Sequence, residues 1–443
     1  MNIIKNYKKQ ISYILLFIII FIITLIVSYI INPLWGDQVW SYGFSYYISK
    51  GLIMYRDFNT IQMPLYFILD SVFIKIFGNY LIAANIFDSL LITTIGVILI
   101  HENKWKGIIP LLVLQLLTTS QYNIMCLLFL FIILYLISNN KDNDYLIAYI
   151  LGLTFITKQN IGVLLFIPFF FYSKNKIKSI IVFLIPFIVL CIFFLINNSI
   201  VQFLDYTIFG ILAFNSNKYI IPSLLVVQII NSLYLIYHLI KSKFQDKEAF
   251  YILIFQLISY PSGDITHVVP TVVAFLYYFN KHSKFLILRM TLYMLIIVYT
   301  ISAYYYQAFP IDINTKKDLF FLKSPASITN HLEEIYNYFD RDLTNVYIAS
   351  EYSYLLKMYY NYPVNEYDQC NDGNWGYLSE DKIINNFIKE CKEKDCKFLI
   401  RKDIPDHFQI KTINKILEEN FKIIDEHPTI CNDCYIYGNK KDD

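Results

Sequence analysis

Residues Ile11 to Ile31 form an almost unbroken apolar run, with three lysines, Lys5, Lys8 and Lys9, just ahead of it. About 20 apolar residues suffice to cross a bilayer, and lysines before a span mark its cytoplasmic end. The run is too long for a removable signal peptide and lacks a small-residue cleavage site, so it reads as a retained span. Ten further apolar segments follow, at roughly 80–100, 107–121, 123–138, 145–157, 160–172, 179–197, 220–240, 249–262, 266–279 and 285–306. Several are shorter than a full crossing, which a locally thinned bilayer or apolar flanks accommodate. The expected fold is therefore mainly α, a polytopic membrane helix bundle of about eleven spans. Composition agrees: 16% of residues are charged, against about 25% in a soluble protein. The net charge of +2 comes with no basic tract, so no nucleic-acid partner is expected.

The lysines test the span count. Loops that should be cytoplasmic carry Lys104, Lys106, Lys141, Lys174, Lys176, Lys178, Lys241, Lys243, Lys247, Lys281 and Lys284, which makes fourteen with the N-terminal three. The opposite loops carry five basic residues before the tail: Lys50, Arg56, Lys75, Lys158 and Lys218. That asymmetry is the one expected of a multi-pass cell-membrane protein with a cytoplasmic N-terminus. It holds only if 64–77, which contains Asp70 and Lys75, is an interfacial helix and not a span. Residues 200–216, with Ile200, Phe203, Leu204, Ile208 and Leu212 at helical spacing, read as a second surface helix.

From about residue 312 the composition turns soluble. Helices are expected at 328–340 and 380–392, and strands at 346–349 and 397–400. A hairpin is expected from 421–424 and 434–437. Two domains follow: a membrane domain, 1–311, and an extracytoplasmic α/β domain, 312–443. The tail shows no P-loop, dinucleotide fingerprint or nucleophile elbow.

Polar residues gather at four places on the expected outer face. The first is the loop after the first span, Trp35-Gly36-Asp37-Gln38, running on to Tyr55-Arg56-Asp57-Phe58. Asp37 is either a helix-capping carboxylate or a base at headgroup level. Arg56 and Asp57 form either a structural ion pair or, through the planar guanidinium, a contact to an anionic phosphate. The second place is Thr157-Lys158-Gln159-Asn160, a polar break between two apolar segments. Lys158 is there either a snorkelling lysine or a cation for a phosphate. The third is the 200–218 segment, with Asp205. The fourth is Tyr260-Pro261-Ser262-Gly263-Asp264-Ile265-Thr266-His267. There Asp264 is an N-cap or, with His267 three residues on, a contact to phosphate or sugar. Asp88 is an acid inside the second span, a functional position by default. A zinc site needs about four ligands, which one histidine and scattered aspartates do not supply, and no cofactor is expected. Cys126 and Cys191 read as apolar filler. Cys391 with Cys396, and Cys431 with Cys434, read as local bridges or a four-thiol site, and Cys370 leaves the set odd.

The Asp37 loop, the run Gly51-x-x-x-Tyr55-Arg56-Asp57-Phe58, then Pro64-Leu65-Tyr66 and Phe77-Gly78, resembles the first outer loop of GT-C membrane glycosyltransferases. The likeness is to family 39-like enzymes, which include protein O-mannosyltransferases and bacterial aminoarabinose transferases. The 157–160 turn and Pro261-x-x-Asp264-x-x-His267 are similar to motifs in bacterial members. The resemblance covers about 300 residues in architecture. It implies a polyprenyl-phosphate sugar as donor and a glycan, lipid or protein as acceptor, with transfer at the non-cytoplasmic membrane surface. It implies Asp37 as general base. Many members carry a second acid beside that aspartate; Gln38 stands there in this chain. On this reading Arg56, Lys158 and His267 bind the donor phosphate, and Gln38, Tyr55, Asp57, Gln159, Asp205 and Asp264 contact substrate. The alternatives are a lipid-glycan transporter or flippase, and a polysaccharide polymerase or ligase. The few intramembrane acids and the lack of an inverted repeat speak against a transporter. The early position of the charged loop speaks against a polymerase.

Overall fold

The structure is a computed structural model. It describes residues 2–31, 36–78, 81–117, 121–141, 143–210, 222–259, 265–283, 333–348, 356–357, 360, 362, 376–401, 411–426 and 434–439. The chain is mainly helical and is a polytopic membrane protein with a small C-terminal sheet. Ten of the eleven apolar segments coincide with helices: α1 (Asn2–Ile31), α4 (Leu81–Asn103), α5 (Ile108–Leu116), α6 (Gln121–Ser138), α7 (Asp144–Phe155), α8 (Gln159–Tyr172), α9 (Lys176–Ile196), α11 (Pro222–Lys241), α12 (Lys247–Gln256) and α13 (Ile265–His282). The eleventh, 285–306, lies outside the described residues. Among the described residues, five stretches are long and apolar enough to cross a membrane: Gln10–Ser28, Ile82–Leu116, Gln121–Ser138, Lys176–Ile196 and Leu224–Lys241. On α1, Ile14, Leu15, Ile18, Ile19, Ile22 and Ile23 are all exposed. An apolar surface of that extent suits lipid, not water.

Two compact units divide the chain. One comprises Met1–Pro33, Leu81–Ile188 and Tyr219–Pro310; the other comprises Leu34–Tyr80, Val189–Lys218 and Ile311–Asp443. In the first, α6 and α13 lie side by side with α4 and α12. Their ends are tied by a charged network that joins residues more than a hundred positions apart. Lys281, in the last turn of α13, donates to Glu248 Oε1 on α12 and to Ser138 Oγ at the end of α6, each at 2.7 Å. Ser138 donates in turn to Glu248 Oε1 at 2.7 Å. Glu102, at the end of α4, lies 3.8 Å from the ammonium and accepts from Asn139 Nδ2 at 3.1 Å. Two carboxylates and one ammonium thus lock the ends of four helices.

In the second unit, α2 (Gly36–Ser49) packs on α3 (Leu65–Phe77). The helix expected at 64–77 is present, but 36–49 was read as loop. Its residues have no apolar period of 3.6, yet Tyr42, Phe44, Tyr46 and Tyr47 are each at most 2% exposed. Tertiary burial of aromatic rings makes this helix, which local pattern does not announce. Phe44 stacks on Phe58 and meets Phe67 edge-on. The exposed side of α3 is an apolar stripe, Leu69, Val72 and Ile76, at the spacing of a surface helix lying against lipid. The 200–216 segment is helical as α10 (Ile200–Leu204), which widens into a π turn over Asp205–Phe209; from 211 it leaves the described residues.

The tail carries β1 (Val346–Ile348), α14 (Glu380–Glu393), β2 (Lys397–Arg401), α15 (Lys411–Asn420), β3 (Phe421–Asp425) and β4 (Cys434–Asn439). The sheet order is β1-β2-β4-β3; β1 and β2 are parallel, and the other pairs are antiparallel. The 421–424 and 434–437 segments pair as expected, whereas α15 was not foreseen. Tyr347, Phe387, Phe398, Leu417 and Phe421 form the core. Cys391 and Cys396 belong to that core and are not joined by a disulfide. The local bridge expected between them is absent because both side chains serve as apolar filler. Cys370, Cys431 and the Cys434 side chain lie outside the described residues.

Candidate functional site

The polar break at 157–160 arises because α7 ends and α8 begins around one extended residue. Lys158 has φ −152° and ψ 107°, its N–H donates to Thr154 O at 2.8 Å, and its carbonyl accepts from Gly162 N at 3.1 Å. A Cβ on Gly162 would lie 2.3 Å from Phe155 Cα. Only glycine lets α8 start this close to the last turn of α7.

This geometry sends the Lys158 side chain to a cluster drawn from three helices. Its ammonium donates to Asn123 Oδ1 at 2.9 Å, lies 3.3 Å from His267 Nε2, and sits 4.9 Å from the centre of the Tyr122 ring. Asn123, fully buried, donates to Thr266 O at 3.3 Å. A lysine has only donors, so the contact with His267 uses Nε2 as acceptor. The ring proton then sits on Nδ1, 3.2 Å from Thr266 Oγ1. Lys158 and His267, which the sequence offered from separate breaks, are neighbours. Gln159 begins α8 beside them. Asn123 and Tyr122 were not singled out from sequence; their place at the very start of an apolar segment was the available signal. Asp264 lies outside the described residues.

The remaining candidates lie in the other unit. Asp37 and Gln38 fall in the first turn of α2, where a helix N-terminus favours negative charge; nothing of their side chains is described. Arg56 and Asp57 make a bidentate pair, Nε to Oδ1 at 2.8 Å and a second nitrogen to Oδ2 at 2.9 Å. Asp57 Oδ2 also accepts from Ile53 N at 2.7 Å. Burial opposes the charged form, but Arg56 and the Ile53 N–H outweigh it and hold the Asp57 carboxyl below its ordinary value. The Arg56 side chain stays 43% exposed, so it can still face an anion. Tyr55 is 2% exposed, at φ +67°, among Phe194, Phe203 and Tyr206, and its hydroxyl donates to Gln62 O. It holds the loop's shape from inside. Asp205 is 1% exposed and accepts from the backbone of Tyr377, Leu378 and Ser379. Its carboxylate is committed to that turn. Asp88 is buried in α4. Among the described residues, no group of three or more His, Cys, Asp and Glu is placed to hold a metal ion.

One acid placed by sequence on the interfacial helix received no chemical role there. Asp70, on α3, is fully buried, and neither of its oxygens has a hydrogen-bond partner. Ser45 beside it donates instead to Ser41 O at 2.9 Å, and the buried hydroxyl of nearby Tyr42 is also without a partner. Burial pushes the Asp70 carboxyl up to about 7. The folded protein therefore keeps a proton that the unfolded chain loses near pH 4. Stability should fall by about 1.4 kcal/mol per pH unit between that point and the folded value, then level off. Asp70→Asn should remove this slope. Unfolding midpoints of both proteins from pH 4 to 8 check it; parallel curves would show that Asp70 does not titrate in this window.

No protein-family model matches the chain, and no curated protein matches it. Among solved structures it is similar to the apo crystal structure of ArnT, an aminoarabinose transferase of the GT-C family, from Cupriavidus metallidurans. The TM-score is 0.57 at 11% sequence identity, and the match covers 98% of each chain.

Proposed function

We propose, from a GT-C-type fold that carries a lysine–histidine–asparagine cluster at a helix break, that this membrane protein is a glycosyltransferase. It takes a sugar from a polyprenyl-phosphate donor and passes it to a hydroxyl of a glycan, lipid or protein. The N-terminus is cytoplasmic and residues 312–443 lie outside, which puts transfer at the outer membrane surface. The observation that carries the reading is the meeting of Lys158 Nζ, His267 Nε2 and the Asn123 amide within hydrogen-bond range. A cation backed by a neutral ring and a buried amide suits an anion at membrane depth.

The reaction breaks the bond between the sugar's anomeric carbon and a phosphate oxygen, and the electron pair leaves with the phosphate. Lys158, oriented by the neutral His267 ring, stabilises that developing charge; Arg56, whose fork matches phosphate oxygens, is a second candidate cation. The acceptor oxygen forms the new bond, and Asp37 takes its proton as general base. Gln38, Gln159 and Asp264 contact the substrates. The exposed apolar surfaces of the helices suit the prenyl chain and the surrounding lipid.

Purified protein in liposomes, given polyprenyl-phosphate sugars and a mixture of hydroxyl acceptors, should release polyprenyl phosphate and yield a glycosylated product. Movement of the intact donor across the bilayer, with no bond cleaved, would identify a transporter instead. Lys158→Ala should weaken donor binding. A hydrogen bond to a charged group is worth about 1.5–3 kcal/mol, so the loss should be about 10- to 100-fold. Equal donor affinity in a folded variant would remove Lys158 from the phosphate site.

A further inference from the structure

We propose that the turn at 376–379 presses Tyr377 and Leu378 into the headgroup–acyl boundary of the bilayer, so that the C-terminal α/β part touches lipid directly. The inference does not depend on the reaction proposed above.

The turn is built to hold one orientation. Asp205 accepts from three successive backbone N–H groups: Tyr377 at 3.0 Å, Leu378 at 2.6 Å and Ser379 at 3.2 Å. It also accepts from the Ser379 hydroxyl. Gly376 enters the turn at φ +74°, and a Cβ there would lie 2.4 Å from Asp205 Oδ2. A side chain at 376 is excluded both by conformation and by space. All of this polar chemistry faces inward, for Asp205 is 1% exposed. What it turns outward is apolar: Leu378 is 69% exposed and Tyr377 48%.

The same surface continues onto elements that meet lipid. Asp205 follows α10, one turn after Val201, which is 70% exposed. The Leu378 N–H is bonded to Asp205, so the turn is anchored at the end of the helix that carries Val201. Just before α10, the long apolar helix α9 ends in Leu195 and Ile196, both exposed. The turn therefore extends the rim where a spanning helix leaves the membrane. Its two side chains suit that level: tyrosine's amphipathic ring favours the headgroup layer, and leucine favours the acyl side.

The test uses the full-length protein in phosphatidylcholine–phosphatidylglycerol liposomes. A benzophenone-bearing phenylalanine replaces Leu378, or Tyr377 in a second variant, and Lys389 in a control. Lys389 projects into solvent from α14, its side chain 77% exposed. After illumination, adducts are identified by mass spectrometry. A side chain held about 5–10 Å into the boundary should give about tenfold more lipid adduct at 377 or 378 than at 389. Asp205→Ala should lower that yield by releasing the turn. Equal lipid yields at the turn and at 389, or adducts to protein in place of lipid, would overturn the proposal. An undiminished yield in Asp205→Ala would overturn the part given to the carboxylate.

Discussion

Asp37→Asn should reduce sugar transfer by about 10²–10⁴-fold, the usual contribution of a general base, and should leave donor binding almost unchanged. Asparagine keeps the size and hydrogen-bonding capacity of the side chain but cannot take a proton. The substitution is mild for the fold, because Asp37 lies in the first turn of α2 and asparagine is well tolerated near a helix N-terminus. Single-turnover transfer and donor affinity, measured on the same purified preparation, separate the two effects. Near-full transfer by the asparagine variant would move the base elsewhere. Asp264 would then be the next position to test, since Asp205 is already occupied by the 377–379 backbone.

The second large effect concerns stability. Lys281→Met should destabilise the helical unit by about 3–5 kcal/mol, the cost of removing one partner from a buried ion pair. The methionine fills similar space, but it removes the ammonium that Glu248 and Glu102 share and leaves each carboxylate only a histidine, His282 at 3.8 Å and His101 at 2.9 Å. Both carboxylate side chains are at most 10% exposed. Replacing all three, with Lys281→Met, Glu248→Gln and Glu102→Gln together, should recover much of the loss, because the uncompensated charge is gone. Thermal unfolding in detergent gives both values. If the single variant unfolds with the native protein, the network contributes no net stability and the helix ends are held by apolar packing alone.

Much of the site was visible in the sequence as interruptions. Lys158 stood out because four polar residues cannot belong to an apolar span, and His267 because it follows a Pro-Ser-Gly stretch. Their meeting was not readable, since 109 residues separate them and only tertiary folding brings the Lys158 side chain to His267. Asn123 was passed over as the first residue of an ordinary span. Glu102, Glu248 and Lys281 were equally silent, as charges at helix ends are what any membrane helix carries. Asp205 looked like a substrate contact because it was an acid on an outer segment. The fold instead gives it three backbone donors from a turn 172 to 174 residues away. Tyr55 was drawn into the same list by its place in a charged loop, and aromatic packing buried it.

The apolar runs alone determined that this chain is a multi-helix membrane protein with a small α/β tail. A segment of about 20 apolar residues has a bilayer as its natural solvent wherever it occurs, and the strands of the tail follow from short runs of apolar and aromatic residues. Three things were decided only in the tertiary structure. Residues 36–49 became a helix through the burial of four aromatic rings, although their own pattern has no helical period. Polar residues from distant breaks were sorted into a lysine–histidine–asparagine cluster at one set of helix ends and an ion-pair lock at another. Asp70 and Asp205, two acids with nothing in their sequence surroundings to tell them apart, were given opposite conditions. One is buried without a partner and the other is saturated with donors, because neighbours brought in by folding set the environment of a charge.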